Sequence, residues 1–249
     1  VAAVMPPWGG ELAIELLHAI DFQALSNVPA KWFIGFSDLS TLHLPLTTIS
    51  GWATLHGPNL MELGAATTDE VTAAIWSVLA ARHQSVTQIS SKMFQHDGPD
   101  WSVQPSAGLA LTEETQWKRL DESTAPVELA GRIIGGCLDT IARLAGTPYG
   151  DIPSFVKASQ GDGVVLYIEN AEMKPCELVR ALFGLHLNGW FEGLNGILIG
   201  RSAAPDAKEA TDLTYREALR SAFGGVSCPV LYDLDIGHVP PQFSLVNGA

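Results

Sequence analysis

The feature that most constrains this chain is a set of apolar runs too short to be helices: Lys31–Phe36 (KWFIGF), Val164–Ile168 (VVLYI), Gly196–Ile199 (GILI) and Val230–Leu234 (VLYDL). Runs of roughly four to eight apolar residues bounded by turn signals form fully buried strands. Between them apolar residues recur at helical spacing. Leu12, Leu16, Leu17 and Ile20 do so after Gly9-Gly10, and Val71, Ala74, Ile75, Val78 and Leu79 do so after a Thr67-x-x-Glu70 capping box. Buried strands alternating with helices define an α/β layer. Further strands are expected at Val1–Met5 and, more weakly, at Ile49–Leu55. Further helices are expected at Leu138–Leu144, stopped by Gly146-Thr147-Pro148, and at Glu177–Leu185 and Tyr215–Phe223.

Residues 84–130 break this alternation. Ser, Thr, Gln, Asp and Pro dominate, and Trp101 and Trp117 stand in polar company. A stretch of that length is a functional loop or a domain crossover and no ordinary connection. The organisation expected is two α/β domains, residues 1–95 and 131–249, joined by a crossover at 96–130.

Composition removes several function classes. The 14 Lys and Arg against 27 Asp and Glu give a net charge of −13, with no basic cluster, which argues against a nucleic-acid partner. No apolar stretch approaches the roughly 18 residues a membrane span requires. Cys137, Cys176 and Cys228 are odd in number and scattered, neither a disulfide framework nor a CxxC pair, and read as thiols of a reducing, cytoplasmic compartment. The sequence opens on Val1 with no basic leader, so it is expected to begin inside a longer protein. His43, His56, His83 and His96 lack the i, i+4 spacing of a helical zinc pair, and the Gly-rich stretches match neither GxGxxG nor a P-loop; no metal and no nucleotide cofactor is expected.

Three residues at strand ends could carry chemistry. Ser37 lies where an apolar strand gives way to a helical pattern, a turn that exposes a hydroxyl and aims backbone N–H groups at a developing oxyanion. The GxSxG pattern is incomplete because Leu39 stands in the last position, and a serine there could equally cap a helix. Glu169 ends the VVLYI strand, facing the crevice where α/β proteins bind ligands, or else lies free in solvent. His238 follows another strand after Gly237 and has the pKa range of a general base, though a surface role would fit it too. Serine, imidazole and an orienting carboxylate are the set that acyl transfer requires.

Five segments taken in order resemble the LD-carboxypeptidase family of serine peptidases, in particular its microcin C immunity branch. They are Phe33-Ile34-Gly35-Phe36-Ser37-Asp38, Gly131–Leu138 (GRIIGGCL) with Gly146-Thr147-Pro148-Tyr149, Leu166–Asn170 (LYIEN), Gly196–Gly200 (GILIG) and Asp235-Ile236-Gly237-His238. The resemblance implies a Rossmann-like N-terminal domain and a smaller α/β C-terminal domain with the active site at their interface. It makes Ser37 the nucleophile, His238 the base and Glu169 its orienting acid, with the N–H groups of Gly10 and Asp38 as oxyanion donors. It further implies a homodimer and, as substrate, an aminoacyl- or peptidyl-nucleotide, with Trp101 in place to stack on the base and Trp117 as a second candidate for that role. A murein tetrapeptide losing its terminal D-Ala is the alternative substrate, and a silent ligand-binding relative the alternative function. Family members usually carry several dozen more residues ahead of the Gly-Gly turn, including a first strand.

Overall fold

A computed structural model describes residues 2–81 and 84–249; Val1 and His83, named above, lie outside the described residues. The first sheet runs β1 (Ala3–Val4), β2 (Trp32–Gly35), β3 (Thr54–His56) and, at its far edge, the C-terminal strand Leu245–Asn247. The first three are parallel and the last is antiparallel to β3, with Leu245 opposite His56 and Asn247 opposite Thr54. One strand pair and one single strand follow in the polar 84–130 stretch: β4 (Met93–Phe94) pairs with β5 (Glu113–Glu114), and β6 (Lys118–Arg119) joins the second sheet. That sheet holds β7 (Arg132–Cys137), β8 (Val164–Glu169), β9 (Gly196–Gly200) and β10 (Val230–Leu234), all parallel, in the order β6-β10-β9-β8-β7. The Leu245–Asn247 strand is β11. The fold is α/β, as expected, with two parallel-based sheets.

The helices form where apolar spacing and caps coincide. Tyr215–Phe223 buries Ala218, Leu219, Ala222 and Phe223, and its start is closed by reciprocal Thr214 and Glu217 bonds, a device worth about 1 kcal/mol. The helix expected after Thr67 starts differently. Asp69, not Thr67, accepts the free N–H groups of Val71 and Thr72, because a carboxylate directly ahead of the first turn is the stronger N-cap. That helix also breaks in two, Glu70–Ala73 and Ile75–Ala80. The Leu12–Ile20 pattern forms a 3-10 helix, Ala13–His18, and of Ile49–Leu55 only the end enters a strand.

The main apolar core lies on the second sheet, while Ile34 and Leu55 of the first sheet pack with Ile75 and Val78 in a smaller one. Leu42, Leu44 and Leu46, from the helix Ser40–Thr48, pack with Ile134, Leu138, Leu166 and Ile197 of the second half. The C-terminal strand adds polar ties, with Asn247 accepting from the Gly135 N–H (3.0 Å) and donating to Thr54 (3.2 Å). These contacts tie β3 to β7, the sheet neighbours of β2 and β8, at whose C-terminal ends the site lies.

Candidate active site

Ser37 lies one residue beyond β2, after Phe36, and opens a 3-10 turn, Ser37–Leu39, with φ of +65°. A non-glycine residue in that region is held against its own preference by its surroundings. Its side chain caps no helix. A Cβ on Gly9 would stand 2.5 Å from Ser37 Cβ and 3.2 Å from the Asp38 nitrogen, so only glycine lets this loop lie against the turn. Asp38 secures the same loop from below: its buried carboxylate accepts the Ala13 N–H (2.7 Å) and the Thr41 hydroxyl (3.4 Å).

Glu169 ends β8 fully buried, not free in solvent. Its Oε2 lies 2.8 Å from His238 Nδ1, and His238 Nε2 lies 3.0 Å from Ser37 Oγ. A carboxylate can only accept, so the ring carries its proton on Nδ1 and leaves Nε2 to accept from the serine hydroxyl. Gly237, at φ +90°, makes the Glu169–His238 approach feasible; a Cβ there would overlap the carboxyl carbon of Glu169 at 2.5 Å. Burial acts to lower the His238 pKa, but the charge and hydrogen bond of Glu169, with smaller help from Asp139 and Glu62, outweigh it and hold the imidazole above its usual value. Phe36 packs edge-on against the ring, centroids 4.8 Å apart. The structure thus brings together three side chains from positions 37, 169 and 238, in line, at the C-terminal ends of parallel strands.

A cleft of about 300 Å³ opens over Ser37 and His238, lined also by Trp8, Gly10, Glu62 and Trp101. Trp101 is therefore beside the serine, its indole N–H donating to the Ala107 carbonyl (2.9 Å) and its ring tilted against Trp8 at 6.3 Å. Trp117 is elsewhere: it donates to Asp235 (3.0 Å) and stands edge-on to Phe243. Gly10 is at the cleft wall, and its N–H has no backbone partner among the described residues.

Sequence reasoning passed over several neighbours. Cys137 ends β7, its N–H bonded to Ser40 Oγ (3.0 Å), and its thiol, a Glu169 oxygen and a His238 nitrogen lie within 4.8 Å of one another. Burial, reinforced by the charges of Glu169 and Asp139, raises the Cys137 thiol pKa well above its ordinary value. His43 and His56 are buried behind the turn without hydrogen-bond partners, and burial pushes both down to about 3. Ser91 and Thr115 of the polar 84–130 stretch and the buried Arg201 form a second polar cluster around Asp235 that no sequence pattern marked.

Sequence profiles settle the relationship. The LD-carboxypeptidase N-terminal domain profile matches residues 1–57 and the C-terminal domain profile matches residues 130–249. The chain belongs to the LD-carboxypeptidase family. That makes it a member of a peptidase family, and its structural neighbours are MccF-like proteins. It is 29% identical over 97% of its length to a candidate carboxypeptidase of Vibrio cholerae, covering 69% of that protein. It is 24% identical along its whole length to the microcin C7 self-immunity protein MccF of Escherichia coli, covering 70% of it. Across these relatives the chain spans about two thirds of their length. Among solved structures, an MccF-like protein from Bacillus anthracis superposes with a TM-score of 0.78 at 22% identity, over all of this chain and 71% of that one. MccF in complex with aspartyl sulfamoyl adenosine does so with the same TM-score and identity, over 72% of that chain. No described helix is long and apolar enough to cross a membrane.

Proposed function

We propose that this LD-carboxypeptidase family member is a serine hydrolase that cleaves an amide bond in aminoacyl- or peptidyl-nucleotides. The observation that carries the reading is the unbroken relay Glu169–His238–Ser37, with contacts of 2.8 and 3.0 Å. His238 Nε2 takes the Ser37 proton as Oγ attacks the carbonyl carbon. Glu169 holds the Nδ1 tautomer and stabilises the imidazolium that forms. The N–H groups of Gly10 and Asp38 receive the oxyanion, each such donor contributing about 3–4 kcal/mol to the barrier reduction. His238 then passes the proton to the leaving nitrogen, and a water activated by the same ring releases the acyl group. No step calls for a cofactor.

The nucleotide half of the reading rests on the cleft. Trp101 and Trp8 offer two aromatic faces beside Ser37, and base stacking on such a face is worth roughly 1–3 kcal/mol. MccF, a structural neighbour of the same fold, is described in complex with aspartyl sulfamoyl adenosine. The proposal keeps the N-terminal nucleophile domain at 1–95, the crossover at 96–130 and the acid- and base-bearing domain at 131–249. It places the reaction in the cytoplasm, where the three free thiols stay reduced, and takes the working form as a homodimer, which light scattering of the purified protein checks.

The test is a side-by-side assay of an aminoacyl-adenylate amide analogue and a murein tetrapeptide. Turnover of the first and loss of all turnover in Ser37→Ala, with an unchanged circular dichroism spectrum, is the expected result. Release of D-Ala from the second alone turns the assignment to a murein carboxypeptidase. A serine-directed probe that fails to label the wild-type chain makes it a silent binder.

A further inference from the structure

The turn after β3 touches three parts of the site at once. Asn59 Oδ1 accepts the Phe36 N–H (3.3 Å), one residue ahead of Ser37. The N–H groups of Leu60 and Met61 donate to the carbonyls of Pro6 and Pro7, both at 3.3 Å, and those prolines lead into Gly9-Gly10. Glu62 closes the turn by accepting the Asn59 N–H on Oε2 (2.6 Å). Its Oε1 accepts from the Gln242 amide (3.2 Å), on the segment that carries His238. Glu62 also lines the cleft over Ser37. This one turn thus connects the serine turn, the Gly-Gly loop and the histidine segment, and the Glu62 carboxylate both closes it and supplies the last link.

We propose that Glu62 is a positioning residue for hydrolysis: it clasps the Ser37 turn to the His238 segment and sets the charge felt by the imidazole. This rests on the roles proposed above for Ser37 and His238. The partner is built for two protonation states. Gln242 Oε1 is buried with no hydrogen-bond partner, so a flip of the amide exchanges a donor for an acceptor at the same place. Ionised Glu62 accepts from the Gln242 N–H; protonated Glu62 donates to the flipped Gln242 oxygen. The clasp survives in both states and only the charge changes. Burial, opposed by the Asn59 and Gln242 hydrogen bonds and by His238 and aided by Asp69, pushes the Glu62 carboxyl up to about 7, so the change falls near neutral pH. His238 itself faces Glu169, Asp139 and Glu62, and His56 lies within electrostatic reach behind it. Of these, Glu62 is the carboxylate that belongs to the serine-bearing half of the chain.

The experiment is an NMR titration of the His238 imidazole in the Ser37→Ala protein, with and without Glu62→Gln, alongside kcat and KM against pH for Glu62→Gln and Glu62→Ala in the active chain. The titration needs no turnover, so it reads the clasp even if Ser37 is not the nucleophile. Glu62→Gln should lower the His238 pKa by about half a unit or more, because a nearby negative charge is gone. Glu62→Ala should cut kcat on the order of tenfold with a smaller change in KM, since a slight misplacement of reacting groups is costly. Glu62→Gln should recover most of that kcat at high pH. An unshifted His238 titration in Glu62→Gln overturns the electrostatic role, and this arm decides alone if Glu62→Ala fails to fold. A folded Glu62→Ala protein with the wild-type kcat overturns the clasp.

Discussion

Two buried polar clusters sit three residues apart along the chain and obey opposite rules. Around Asp235 every opportunity is taken. Its Oδ2 accepts from the Ser91 N–H (3.1 Å) and the Trp117 indole (3.0 Å), and its Oδ1 from Ser91 Oγ (2.5 Å) and from Arg201. Arg201 in turn reaches Thr115 (3.2 Å) and the Val239 carbonyl (3.3 Å) and lies over the Phe94 ring at 4.5 Å. Around His238 the satisfaction is partial: Glu169 Oε1 is buried with no partner, Ser37 sits at positive φ, and the ring remains a quarter exposed to the cleft. The first cluster is a lock that pins the crossover to the second sheet. The second keeps spare acceptor capacity and local strain, features that persist where the surrounding structure enforces them for chemistry.

The largest expected effect would break this division outright. Replacing the Glu169 carboxylate with its amide, Glu169→Gln, should lower kcat by about 10³–10⁴-fold, because the amide no longer fixes the Nδ1–H tautomer or stabilises the imidazolium. The His238 pKa should fall at the same time, since Glu169 is the main influence raising it. Thermal stability should change little by comparison. A variant that unfolds while retaining the wild-type rate per folded molecule would put Glu169 with the lock and not with the chemistry. Single-turnover rates and calorimetry on the same sample decide.

The converse substitution is Asp235→Ala. It leaves Arg201 charged and almost wholly buried, and removing one partner of such a pair costs about 3–5 kcal/mol. The melting temperature should drop by several degrees or more, while the His238 titration in the remaining folded protein stays in place. If the titration moves and the melting temperature does not, the Asp235 cluster is part of the site.

The same contrast explains what the sequence makes legible. Glu169 ends a strand whose apolar run is readable, and Ser37 and His238 follow shortly after two others, which fixes the end of the sheet where they can lie. Their meeting is not readable from composition, since many acids and several histidines compete. The resemblance of ordered motifs supplied that step, and the distances of 2.8 and 3.0 Å show these groups in contact. The lock was not legible because Asp235 and Arg201 come from two different strand ends and Ser91 and Thr115 from a stretch without periodicity. The return of β11 to the first sheet was hidden for a similar reason: three residues carry no pattern, and the pairing with β3 spans nearly the whole chain. Glu62 was invisible because its partners are a backbone N–H and a glutamine 180 residues away.

The smallest effects should come from the two tryptophans of the crossover, one on each side of the division. Trp101 borders the cleft and uses its indole N–H locally on Ala107, so its ring face is available to a ligand. Trp101→Ala should raise KM for a nucleotide-bearing substrate by about 1–3 kcal/mol in binding terms, with kcat and melting temperature close to wild type. Trp117 spends its N–H on Asp235 and its ring on Phe243. Trp117→Phe keeps most of the packing and loses one hydrogen bond to a buried carboxylate, about 1–2 kcal/mol of stability, with KM unmoved. The pair forms a crossed test, because each variant is a control for the other: stability follows one ring and affinity the other. Equal losses of both quantities in both variants would mean that the crossover acts as one rigid wall, and that the separation between lock and cleft does not extend beyond Asp235 and His238.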